Sequence, residues 1–188
     1  MERVELARLL GPVLDAVKHA PGAIVISEPD PARFMQVFGA AVADDRSVFL
    51  ADPAWGKAER SLLQEACETE PEVDPGNSGR GWLMIPTGGS TGGMRFARHD
   101  QVTLSAAVRG FCMHFGTSRV NAVSVLPLHH VSGLMSWMRC ALTDGKFLAC
   151  DWREIEAGRR PRCGQGEWVI SLVPTQLQRL LASAEAVT

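Results

Sequence analysis

Short apolar runs alternate with segments of helical periodicity along most of the chain, and this alternation limits the fold more than any other feature. Ala23 to Ser27 (AIVIS), Ser47 to Ala51, Trp82 to Ile85, Phe96 to His99, Ala122 to Leu126, Lys146 to Ala149 and Trp168 to Leu172 read as strands. Helical spacing is found over Val4 to His19, at Phe34, Val37 and Phe38 after Asp30-Pro31, and over Ala58 to Cys67. It returns from Asp100, a capping residue, to about Phe115, over Ser132 to Leu142, after Asp151, and over Thr175 to Ala182. Strands separated by helices of this length need crossover connections, so the expected class is α/β, a mostly parallel sheet flanked by helices.

Glu68 to Arg80 (ETEPEVDPGNSGR) breaks the alternation, being acidic, rich in Pro and Gly, and without an apolar face. The expected organisation is an α/β segment over 1–68, a connecting loop over 69–80 and a second α/β segment over 81–188, joined in one compact domain. With 46% hydrophobic residues the chain can bury a core. The near balance of 19 basic and 21 acidic residues gives no footprint for nucleic acid. The longest apolar runs fall well short of the roughly 20 residues that cross a bilayer. Met1 to Leu10 carries both charges and does not read as a secretory leader, which makes the cytoplasm the expected compartment. The five cysteines lack CxxC spacing and read as reduced, non-catalytic thiols. Oligomeric state is left open, homo-oligomers included.

The run Thr87-Gly88-Gly89-Ser90-Thr91-Gly92-Gly93 carries chemistry. Four glycines in seven residues let a backbone approach a phosphate closely and adopt the positive φ angles of an anion-binding nest. Thr87, Ser90 and Thr91 add hydroxyl donors, and Arg95 adds a permanent forked cation. Gly-Lys-Ser/Thr is missing, so this is no Walker A loop, and a plain Gly/Ser turn between two strands is the competing reading. Further on, Pro127-Leu128-His129-His130-Val131-Ser132-Gly133-Leu134 spans the end of a strand and the start of a helix, where α/β proteins place binding residues. Adjacent histidines diverge on a strand, and no third ligand has suitable spacing, so no metal is expected.

TGGSTGGMR resembles the phosphate-loop signature of the adenylate-forming (acyl-CoA synthetase) superfamily, with Arg95 in place of the usual lysine and no proline before it. Pro127 to Gly133 is similar to the Pro-Leu-Phe-His-x-x-Gly motif of acyl-activating members, with His130 at the histidine position. Ser171-Leu172-Val173-Pro174-Thr175-Gln176-Leu177 resembles a segment of the o-succinylbenzoate-CoA ligases of menaquinone and phylloquinone synthesis. The resemblance covers Gly81 to Leu181 and implies the N-terminal portion of the adenylate-forming fold.

It further implies adenylation of a carboxylate by ATP with Mg2+, then transfer of the acyl group to CoA. Phosphate contacts would come from Thr87, Gly88, Gly89, Ser90, Thr91, Gly92 and Arg95. Acyl contacts would come from His130, Ser132, Gly133 and Arg139, the last a candidate for a second carboxylate or else a helix arginine reaching solvent. The sequence has no adenine-binding Tyr-Gly-x-Thr-Glu, no ribose-binding Tyr-x-Thr-Gly-Asp and no adenylation lysine, and no catalytic residue is assigned. The expectation is an N-terminal fragment, incomplete and inactive alone, with a silent nucleotide-binding or interaction module as the alternative. A hydrolase built on Ser90 and His130 is more remote, for want of a GxSxG elbow.

Overall fold

The computed structural model describes residues 1–10, 19–20, 23–44, 46–69, 81–87 and 94–185. The chain forms two compact units, Met1–Ala107 with His129–Val131, and Val108–Leu128 with Ser132–Thr188.

The first unit holds a five-stranded sheet in chain order, β1 (His19–Ala20), β2 (Ala23–Ile26), β3 (Ser47–Leu50), β4 (Leu83–Thr87) and β5 (Arg95–His99). Its three middle strands are parallel, and both edge strands run antiparallel to them. Helix α2 (Pro31–Val42) makes the crossover from β2 to β3. Asp30 caps α2, its Oδ1 accepting from the Arg33 amide at 2.8 Å, while Pro31 fits the first turn, where no amide partner is needed. Helix α3 (Lys57–Thr69) follows β3. All four β3 residues are buried, as expected of a central strand covered on both faces. One apolar cluster joins Ala23, Phe49, Leu63, Cys67 and Met84, and Phe49 meets Phe96 edge to face at 5.1 Å. Phe34 and Phe38, both fully buried, stack at 5.8 Å.

The N-terminal helix departs from expectation. Helix α1 covers Arg3–Leu10, whereas His19 and Ala20, expected at the end of that helix and just after it, form β1 against Ala23 and Ile24. The amides and carbonyls along the free edge of β2 give these residues backbone partners that outweigh local helical periodicity. Residues 11–18 lie outside the described residues. Leu6 is buried, but Val4 and Leu9 face solvent. Arg3 closes the C-terminal end of α2, donating to the carbonyls of Val42 at 2.9 Å, Ala41 at 3.1 Å and Arg46 at 2.9 Å.

The second unit contains a three-stranded parallel sheet in the order β7 (Phe147–Ala149), β6 (Ala122–Ser124), β8 (Val169–Ser171). Helix α5 (Val131–Leu142) links β6 to β7, α6 (Trp152–Glu156) follows β7, and α7 (Pro174–Glu185) follows β8. The unit boundary falls inside α4 (Gln101–Phe115). Asn121 ties the strand starts together, its Nδ2 donating to the Glu167 carbonyl and its Oδ1 accepting from the Lys146 amide, each at 3.0 Å. Gly145 is needed for close approach, since a Cβ there would stand 1.8 Å from the Val120 carbonyl oxygen.

Candidate functional site

β3 and β4 are parallel, so their carboxyl ends share one edge of the first sheet, the edge where open α/β sheets bind ligands. β4 ends there at Thr87, and the chain returns in β5 at Arg95, its register partner. The Thr87 hydroxyl donates to the Arg95 carbonyl at 3.2 Å, and both residues are exposed. A tight antiparallel pair therefore carries residues 88–94 between its ends. Gly88, Gly89, Ser90, Thr91 and Gly92, expected to bind phosphate, lie outside the described residues.

Asp52 sits just past the carboxyl end of β3. Its Oδ1 accepts from the Ala54 amide at 2.8 Å and its backbone carbonyl from the Trp55 amide at 3.0 Å, which fixes the carboxylate in a turn. His129 Nε2 lies 3.6 Å from Asp52 Oδ1, and His130 Nε2 lies 3.9 Å from Oδ2. The imidazole rings are 4.5 Å apart. The His129 side chain is buried, and that of His130 is half exposed. Burial pushes the His129 pKa down, the neighbouring His130 adds to this, and the attraction of Asp52 only partly opposes it. A neutral His129 imidazole follows near pH 7.

In the second unit, Ser132 is exposed in the first turn of α5 and Gly133 is buried. A Cβ at position 133 would stand 2.1 Å from the Pro127 carbonyl oxygen, so glycine is what lets α5 start tight against the preceding chain. Arg139, on α5, is partly buried. Its guanidinium lies 4.2 Å from the Phe111 ring centre, and its Nε is buried without a hydrogen-bond partner. Burial lowers its pKa, but an arginine keeps its charge.

No known family profile matches the sequence, and no curated protein matches it. Solved structures do match. The o-succinylbenzoate coenzyme A synthetase of Bacillus subtilis, solved with AMP, superposes with a TM-score of 0.66 at 14% identity, over 97% of this chain and 57% of that one. The fold is that of the N-terminal part of an adenylate-forming enzyme.

The N-terminal domain of FACL13 from Mycobacterium tuberculosis gives a TM-score of 0.54 at 12% identity, over 72% of this chain and 46% of that one. The adenylation domain of a keto acid-selecting NRPS module, bound to a keto acyl adenylate, gives 0.55 at 14%, over 82% and 35%. The chain thus spans between about a third and just over half of the length of these neighbours. Within this fold the residue that sequence reasoning overlooked is Asp52. Nothing in the spacing links it to His129 and His130. Its available signal was its place, directly after a buried strand and before a proline.

Proposed function

We propose that this chain supplies the phosphate loop of an ATP-dependent acid-CoA ligase, with o-succinylbenzoate as its acid. The observation that carries the reading is the β4–β5 hairpin, which connects the glycine-rich residues to the carboxyl edge of the sheet's parallel strands. The likeness of the fold to adenylating enzymes supports it.

In the first half-reaction a carboxylate oxygen of the acid attacks the α-phosphorus of Mg-ATP. The bond to the bridging oxygen breaks, leaving an acyl-adenylate and pyrophosphate. The glycine-loop amides, the hydroxyls of Thr87, Ser90 and Thr91, and Arg95 stabilise the charge that gathers on the leaving pyrophosphate, an arrangement most effective when the dipoles are preoriented. In the second half-reaction the CoA thiol attacks the acyl carbon, and AMP leaves. His130, with Ser132 and Gly133 close by in sequence, contacts the acyl part. Arg139 is the cation assigned to the second carboxylate, since its unpaired Nε and fixed charge suit a carboxylate better than an apolar tail.

ATP-pyrophosphate exchange with o-succinylbenzoate tests the reading, on this chain and on a version extended to the full length of its structural neighbours. Exchange driven by fatty acids and not by o-succinylbenzoate would sink the substrate assignment. Binding is read separately by thermal shift, because a ligand at about 100 times its Kd stabilises the folded state by about 2.7 kcal/mol. ATP is expected to raise the melting temperature and Gly89→Val to abolish the rise. A shift without exchange in either version would favour a silent nucleotide-binding module.

A further inference from the structure

The spacing within the Asp52, His129 and His130 cluster is too wide for hydrogen bonds. The two Nε2 to carboxylate separations are 3.6 Å and 3.9 Å, whereas an N–H to oxygen hydrogen bond closes to about 2.7–3.2 Å. Donors arranged tetrahedrally around zinc, at bond lengths of about 2.0–2.2 Å, stand about 3.4 Å apart. One donor atom from each of the three residues lies within 4.8 Å of the others, so small side-chain rotations bring all three to bonding distance of one ion.

We propose that Asp52, His129 and His130 together bind a divalent transition-metal ion, zinc fitting best. Two imidazoles and one carboxylate are the ligand types that suit zinc, and they leave a coordination position open. The amide of Ala54 donates to Oδ1 of the carboxylate at 2.8 Å, the kind of outer contact that orients a metal ligand. His129 is walled in by the protein, with 8% of its side chain exposed, while His130 at 49% and Asp52 at 28% leave a side open to water. That side provides both an entry path and room for a fourth, exchangeable ligand. The turn over residues 128–130 makes the arrangement possible, because consecutive side chains in a turn are free of the up-down alternation that a strand imposes. The site does not depend on the ligase reading, and a chain with no adenylating activity would still bind the ion.

The test is calorimetric titration of the tag-free, chelator-treated chain with Zn2+, together with the visible spectrum of the Co2+-substituted protein. The expected result is one equivalent of Zn2+ and the d–d bands of four-coordinate cobalt. Asp52→Asn and His130→Ala are each expected to weaken binding by about tenfold or more, since even loss of an outer contact costs about 10–100-fold. His130 is half exposed, so its variant keeps the fold intact if the Asp52 variant does not. Absence of binding overturns the proposal, as does unchanged affinity in either folded variant. A cobalt-thiolate charge-transfer band would also overturn it, by assigning the ion to the cysteines.

Discussion

At the scale of single residues, two positions show how the fold sets chemistry that the residue type alone does not. Gly133 sits where any side chain would strike the Pro127 carbonyl. Gly133→Ala is expected to cost about 1–3 kcal/mol, measured as a drop in the urea midpoint with an unchanged slope. Cys140 is buried, and that burial pushes its thiol up to about 11, whereas Cys163 is exposed. Iodoacetamide at pH 8 should therefore modify Cys163 within minutes and reach Cys140 only after the chain unfolds, as peptide mass spectrometry would show. Equal labelling of the two in the folded protein would contradict the burial described for Cys140. The histidine pair could be read in the sequence as a feature, but not as a cluster. Its partner Asp52 is distant along the chain, and adjacent histidines converge on one carboxylate only because they lie in a turn.

At the scale of elements, the periodic patterns and capping residues were legible because they act locally. Asp100 was expected to start α4, and it does so reciprocally. Its Oδ1 accepts from the Thr103 amide at 2.7 Å, and its own amide donates to Thr103 Oγ1 at 2.9 Å. Asp100→Ala is expected to lower stability by about 1 kcal/mol, and Asp100→Asn by less, both read from thermal unfolding. Helix α7 starts at Pro174, one residue before the expected Thr175, because proline is favoured in a first helical turn. Strand β1 was not legible. Its two residues are held by pairing with β2, and such an edge partner leaves no periodic trace in so short a run. The division of the strands between two sheets was hidden for a related reason, since short apolar runs announce a strand but not its neighbours.

At the scale of the molecule, stability should carry a mark of acid pH. Asp44 accepts hydrogen bonds from the Arg46 side chain at 2.9 Å and 2.8 Å, and this pairing, with the Arg46 amide at 2.9 Å, holds its carboxyl down at about 2. A carboxyl lowered by folding contributes stability above its unfolded pKa of about 3.8, and the contribution disappears as pH falls through about 2. The pair is about a third exposed, so water screens it and its share stays below about 1 kcal/mol. Melting temperatures of the parent and Asp44→Asn should differ at pH 5 and converge as pH approaches 2. A constant gap across that range would mean that Asp44 acts by something other than its charge.

The β4–β5 hairpin also bears on how this protein can change over evolutionary time. Five consecutive residue pairs, from Leu83 with His99 to Thr87 with Arg95, fix the alignment of the two strands below their tips. That alignment comes from the flanking strands, so it does not depend on what joins them. Substitutions between Thr87 and Met94 leave that register in place, whereas Met94 itself packs against the cluster of Phe49 and Met84 and belongs to the frame. What joins the two strands is therefore exchangeable on a frame that their pairing sets. A lineage could change the residues of that connection without refounding the fold.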